Sequence, residues 1–189
     1  MREKNLKYYV VKYKAYLIAF LSAVVLIAII LGVTLMGKSN PTVNVSTPEV
    51  NFVSPVSNAT ITKFYKSDEL QFNKTLNCWE IHKGIDLLAQ KGDDVLSCYN
   101  GVVKNIYSNS LDGTVIEVSH EGGLTSVYMG LDTETSVKVG DEVLSGQKLG
   151  KVGTASANEA DDGTHIHFEL LKDNEKIDPL NYINIDLKG

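Results

Sequence analysis

The chain is 189 residues long, 43% hydrophobic and 22% charged, and its 18 basic and 23 acidic side chains give a formal charge of −5. That length allows one ordinary domain plus an appendage. The acidic balance excludes a dedicated nucleic-acid binder, whose affinity rests on cationic side chains, and two cysteines are too few for a disulfide framework.

The appendage comes first. Residues 16–36, YLIAFLSAVVLIAIILGVTLM, run 21 positions without a charge. As a helix at about 1.5 Å per residue this reaches roughly 31 Å, enough to cross a hydrocarbon core of about 30 Å. A signal peptide has a shorter apolar region ending at a small-residue cleavage site. No such site follows, so the segment reads as an uncleaved transmembrane helix. Arg2, Lys4, Lys7, Lys12 and Lys14 precede it against Glu3 alone, and only Lys38 stands close behind. The positive-inside rule then keeps residues 1–15 in the cytoplasm and exports the rest. Beyond Lys38 lie 12 basic and 22 acidic residues, which predicts a soluble, self-repelling surface.

Residues 37–50, GKSNPTVNVSTPEV, are polar with two prolines and read as an extended linker. Residues 51–77 form a lead-in to the exported domain, and residues 78–189 form its body. Segments 101–108 (GVVKNIYS), 114–120 (TVIEVSH) and 124–131 (LTSVYMGL) read as strands, with hairpin turns at Asp112-Gly113 and Gly122-Gly123. Past the anchor no window sustains a helical period, so the fold expected is all-β, an antiparallel sandwich or barrel-like domain. Residues 137–153, VKVGDEVLSGQKLGKVG, are similar to the barrel-sandwich hairpin of lipoyl and biotinyl carrier domains but lack a modifiable lysine at a tip. Cys78 and Cys98 leave a bridge and two buried thiols both open. Sequons at Asn44, Asn58 and Asn73 matter only in a glycosylating cell.

Two of the four histidines fall in DGTHIHFEL, residues 162–170. Strand side chains alternate, so His165 and His167 share one face while Ile166 turns into the opposite, buried layer. Upstream, EIHKGID (80–86) sets His82 four residues before Asp86, with Gly84 allowing a tight turn between them. Two imidazoles and a carboxylate, with a fourth position left for water, form the donor set of a catalytic zinc site. The same side chains can also close a hydrogen-bonded cluster without an ion. Glu169 and Tyr128 read as supporting or packing residues. His120, at a strand end beside the Gly122-Gly123 turn, reads as stabilising that turn.

From about residue 79 to 183 the chain resembles the M23 (LytM-type, lysostaphin-like) metallopeptidases. The matching segments are HKGIDLLAQKGDDVLSCYNGVV, VIEVSHEGGLTSVYMGL, VKVGDEVLSGQKLGKVG, GTHIHFEL and KIDPLNYI. The resemblance implies a LytM-type β-domain with Zn²⁺ held at His82, Asp86 and His167, and a catalytic histidine at His165. It also exposes a departure. Family members read Y-x-H-L where this chain has Tyr128-Met129-Gly130-Leu131, so Gly130 stands in place of a second catalytic histidine. Losing a positioned acid–base group costs about 10²–10⁴ in rate. Residues 52–72, FVSPVSNATITKFYKSDELQF, resemble the lead-in of a sporulation branch of the family. That branch implies a forespore-membrane location and a mother-cell partner, stage III sporulation protein AH, met across the intermembrane space to form a channel or zipper. Three expectations follow: a zinc-binding interaction protein with impaired catalysis, a zinc-dependent peptidoglycan endopeptidase, or a non-catalytic peptidoglycan-binding module. Gly130 favours the first and third, and the lead-in favours the first.

Overall fold

The computed structural model describes residues 8, 11–14, 16, 18–28, 51–154, 157–183 and 185. The chain forms two compact units, Met1–Thr47 and Pro48–Gly189. In the first, the described residues within Val11–Ala28 make one α-helix, 18 residues long and apolar enough to cross a membrane. Its described side chains are all exposed. From Tyr16 onward the helix carries no charged residue, which suits a lipid surrounding rather than water, while Lys12 and Lys14 stand in its first turn. Residues 29–36 of the expected span, residues 1–7 and the 37–50 linker lie outside the described residues.

The second unit is built of strands β1 (Ile61–Lys63), β2 (Leu70–Asn73), β3 (Cys78–Ile81), β4 (Ile85–Leu88), β5 (Asp94–Leu96) and β6 (Gly101–Asn109). It continues with β7 (Gly113–Ser119), β8 (Leu124–Thr135), β9 (Glu142–Val143), β10 (Lys148–Val152), β11 (His165–Lys172) and β12 (Glu175–Ile177). Its described helical content is three short 3₁₀ turns, at Glu121–Gly123, Ala160–Asp162 and Pro179–Asn181. Ten strands join in one sheet in the order β1-β4-β11-β8-β7-β6-β9, with β10 linking β5 to β8 and β12 flanking β11. β2 and β3 make a separate hairpin. The all-β expectation holds, and the strands expected at 101–108, 114–120 and 124–131 appear as β6, β7 and β8.

β8 is the seam of the domain. Its first part pairs with β7 on one side and β11 on the other, and its far end turns to meet β10. One face of the sheet supplies the core: Ile85 and Leu87 on β4, Ile116 and Val118 on β7, and Ile166, Phe168 and Leu170 on β11 are fully buried. Burying each such side chain stabilises by roughly 1.5–3 kcal/mol. Phe52 closes the unit, stacking on Tyr99 and packing against Tyr182 while bridging Ile183, so the two ends of the unit are stitched together.

Three smaller expectations are decided here. The 137–153 stretch does not fold on itself as a carrier hairpin, because β9 pairs with β6 while β10 pairs with β5 and β8. Cys78 is exposed on β3 and Cys98 is buried, and both are free thiols. Asn73 is buried with its side chain engaged, which denies its sequon any access in the folded domain.

Candidate metal centre

The β4–β11 register builds the site. These strands run antiparallel with Asp86 directly opposite His167 and Leu88 opposite His165. Ile85, Leu87, Ile166 and Phe168 fill the core side, so the intervening polar residues face the other way. His82 enters from the turn between β3 and β4. Gly84 makes that turn possible, since a Cβ there would stand 2.6 Å from His167 Nε2 and 2.8 Å from the Phe168 carbonyl. Any side chain at Gly84 would displace the His167 ring.

Three ligand-type atoms meet as a small triangle. His82 Nε2 lies 3.1 Å from Asp86 Oδ1 and 3.2 Å from His167 Nδ1, and His167 Nδ1 lies 2.8 Å from Asp86 Oδ1. Their outer hydrogen bonds define the tautomers. His82 Nδ1 donates to the Phe64 carbonyl at 3.0 Å, and His167 Nε2 donates to Glu169 Oε1 at 3.3 Å. The other nitrogen of each ring, the one facing Asp86, is then the atom that can carry a proton or offer a lone pair to a cation. Four tetrahedral ligands at about 2.0–2.1 Å from a zinc ion stand about 3.3–3.4 Å apart, close to these edges.

The polar atoms present fit a cation. A proton on His167 can satisfy one edge of the triangle, yet Asp86 Oδ2 is buried without a hydrogen-bond partner. Such an orphan costs about 1–3 kcal/mol, more when charged. Burial opposes charge on both Asp86 and His167, but their mutual hydrogen bonds outweigh it. The Asp86 carboxyl is held well below the usual carboxylate range, and His167 is pushed up to about 10. The cluster is thus arranged to concentrate negative charge at Asp86 and to stabilise positive charge beside it.

His165 sits on the same strand face, 3% exposed, with Nδ1 donating to the Gly163 carbonyl at 2.8 Å and Nε2 turned toward Glu159 Oε2 at 3.4 Å. It is absent from the triangle itself. Gly130 lines the same cleft, whose volume is about 460 Å³, together with His82, Glu159, His165, His167 and Glu169. Its φ of +89° and an amide donated to the Asp112 carbonyl show a kinked backbone at that point of β8. His120 takes no part in this cleft. Its Nδ1 donates to the Asn100 carbonyl at 2.8 Å, its Nε2 pairs with the Ser126 hydroxyl at 2.7 Å, and it immediately precedes the Glu121–Gly123 turn. Tyr128 is buried, accepting from the Cys98 amide at 2.8 Å.

Two members of the site escape a reading of the sequence: Glu159 and Lys63. Glu159 belongs with His82, Asp86 and His167 in one group whose ligand atoms all lie within 4.8 Å of one another. Lys63, on β1, stands opposite Asp86 in register and reaches Glu159 Oε1 at 3.0 Å. Burial works against both charges. The His165 and Lys63 hydrogen bonds nevertheless lower the Glu159 pKa to about 2, and those from Glu159 raise that of Lys63. No motif marks Glu159, which lies in an acidic loop, NEADD, without periodicity.

Comparison with known proteins places this geometry. Stage II sporulation protein Q of Bacillus subtilis (strain 168) is 35% identical over 157 residues, covering 79% of this chain and 53% of that protein. The chain therefore spans about half the length of that relative. The peptidoglycan DD-endopeptidase ShyC of Vibrio cholerae serotype O1 is 29% identical over 90 residues, covering 48% of this chain and 20% of that enzyme. A solved structure of the SpoIIQ–SpoIIIAH pore-forming complex matches with a TM-score of 0.62 at 34% identity, over 72% of this chain and 92% of that one. The sequence model of peptidase family M23 matches residues 80–179. That match covers more than half of the sequence and contains both the His82–Asp86 turn and the His165–His167 strand, and the chain belongs to peptidase family M23.

Proposed function

We propose that this chain is a membrane-anchored sporulation protein of the M23 family whose exported domain binds zinc and docks on a partner of the stage III sporulation protein AH type. In this reading the N-terminus lies in the forespore cytoplasm, one helix spans its membrane, and the partner projects from the mother-cell membrane across the intermembrane space. One observation carries it. The cleft keeps a complete His82, Asp86, His167 donor triangle while Gly130, on its wall, offers no side chain for proton transfer. Similarity to stage II sporulation protein Q and to its complex with SpoIIIAH supports the partner.

His82 Nε2, Asp86 Oδ1 and His167 Nδ1 would hold the ion. Zinc supplies Lewis-acid polarisation of a peptide carbonyl in a working peptidase and, reactive or not, a crosslink between its ligands. The protein's own residues do the rest. Phe64 and Glu169 orient the two rings, and Gly84 lets them approach. The other histidine lining the cleft, His165, has both ring nitrogens engaged, by Gly163 and Glu159. Endopeptidase action needs an acid–base group free to meet substrate, so cleavage of peptidoglycan is expected to be negligible.

The test pairs two measurements on the full chain in detergent. Zinc-replete protein should co-purify with the soluble region of the partner at micromolar concentration and release no soluble peptides from peptidoglycan. Robust zinc-dependent cleavage would establish the endopeptidase reading instead. Failure to form a complex, combined with sedimentation on intact peptidoglycan, would establish a wall-binding module.

A further inference from the structure

We infer that Glu159 is a fourth protein ligand that closes the metal centre, making it a sealed structural site rather than one with an exchangeable position. This rests on the zinc-binding reading above and deepens it. The carboxylate stands over the open side of the donor triangle: Oε1 is 3.9 Å from His82 Nε2 and Oε2 is 3.9 Å from His167 Nδ1. A water bridging two such polar atoms, with two hydrogen bonds of roughly 2.8 Å at a near-tetrahedral angle, holds them about 4.5 Å apart. The space for an exchangeable water is therefore taken by Glu159 itself. A shift of about 0.5–1 Å in one flexible side chain would bring its oxygen to the spacing of tetrahedral zinc ligands.

The surroundings hold Glu159 in that place. Its side chain is 11% exposed, Lys63 Nζ binds Oε1 at 3.0 Å, and His165 Nε2 faces Oε2 at 3.4 Å. The loop that carries it is tied to the tip of the β2–β3 hairpin. Asn73 Nδ2 donates to the Asn158 carbonyl at 3.1 Å, and the Asp161 amide donates to Thr75 Oγ1 at 2.9 Å. Lys74 adds an ion pair to Asp162 at 3.4 Å. A carboxylate serving as general base would need an approach path for a proton donor, and both oxygens here are already engaged, by Lys63 and His165.

Cobalt is the probe, because its visible absorption reports coordination number and exchange. The full chain in detergent, stripped and loaded with Co²⁺, is titrated with acetohydroxamate, which binds only an open metal position. Wild-type protein should take up one Co²⁺ and show no spectral change with hydroxamate. Glu159→Gln and Glu159→Ala should both gain a hydroxamate-dependent shift and lose zinc affinity on the order of 100-fold in competition with a fluorescent chelator. The inference is overturned if wild type and Glu159→Gln respond to hydroxamate alike, or if the variant holds zinc as tightly as wild type. Should the variants fail to fold by circular dichroism, the wild-type titration decides alone, and a hydroxamate shift there refutes a closed site. Wild type that takes up neither Co²⁺ nor Zn²⁺ overturns the zinc-binding reading and this inference together.

Discussion

Gly130 shows why a single position can be read from sequence as a lost group and from structure as something more. Its missing side chain removes an acid–base candidate, but its backbone has also moved to a φ of +89°, and a Cβ would stand 3.1 Å from the His165 carbonyl. A non-glycine residue at positive φ costs about 1–2 kcal/mol from its Cβ alone. Gly130→His should therefore lower stability by about 1–3 kcal/mol in urea denaturation and leave peptidoglycan uncut. Unchanged stability with recovered cleavage would mean that the backbone relaxes and only the imidazole was lacking. A second residue-scale prediction concerns His120. Burial disfavours its charged form and lowers its pKa, against a smaller opposing effect of the Asn100 carbonyl. The unfolded state then takes up a proton first as pH falls below about 6.5, so stability is complete above that pH and declines below it. The decline is at most about 1.4 kcal/mol per pH unit. His120→Gln should flatten this part of the stability–pH curve measured on metal-loaded protein, and identical slopes would remove His120 from the account.

At the scale of elements, the β2–β3 hairpin is the part whose purpose the primary structure hides. Phe72 and Trp79 pair across it at 5.4 Å between ring centroids, yet both are exposed, so the hairpin is not there to fill the core. Its tip instead holds the 157–162 loop. Asn73 is the hub: its amide reaches Glu80 at 2.7 Å and the Asn158 carbonyl at 3.1 Å, and its carbonyl accepts from the Leu76 amide at 2.9 Å. Asn73→Ala should cost about 1–2 kcal/mol, since it removes the hydrogen bonds of a buried amide whose partners are half-buried or exposed. Proteolysis within residues 157–162 should quicken in the same variant. A loop as protease-resistant as wild type would show that Lys63 and Lys74 suffice to hold it.

For the whole molecule, the ion would link pieces far apart in the chain. His82 and Asp86 border β4, His167 lies on β11 and Glu159 on a separate loop, so an ion bound there crosslinks the lead-in side of the sheet to its C-terminal part. An ion that binds the native state alone adds about 2.7 kcal/mol at a free concentration 100 times its Kd. At about 2–4 °C per kcal/mol for a chain of this size, chelation should lower the melting temperature by roughly 5–10 °C. An unchanged melting curve, with metal loss verified by elemental analysis, would show that the ion contributes nothing to the fold. If the partner surface includes the hairpin or the loop, chelation should also weaken the complex, whereas an unaffected complex would place the interface elsewhere on the sheet.

By itself the sequence determined whatever depends on local periodicity. An uncharged run long enough for a bilayer, β-branched segments between turn residues, and the i and i+2 spacing of His165 and His167 all translate directly into a helix, strands and a shared face. The nearness of His82 to Asp86 in H-x-G-x-D was legible for the same reason, whereas the arrival of His167 beside them follows the β4–β11 register and was expected from the family resemblance. Tertiary structure alone decided the rest. Lys63 and Glu159 touch although they lie 96 positions apart in the chain, and their contact depends on the β1–β4 register and on a loop with no period to read. The backbone at Gly130 follows from how β8 bends between its neighbours. Local spacing specifies which face a side chain takes; only the packed sheet specifies which distant group it meets there.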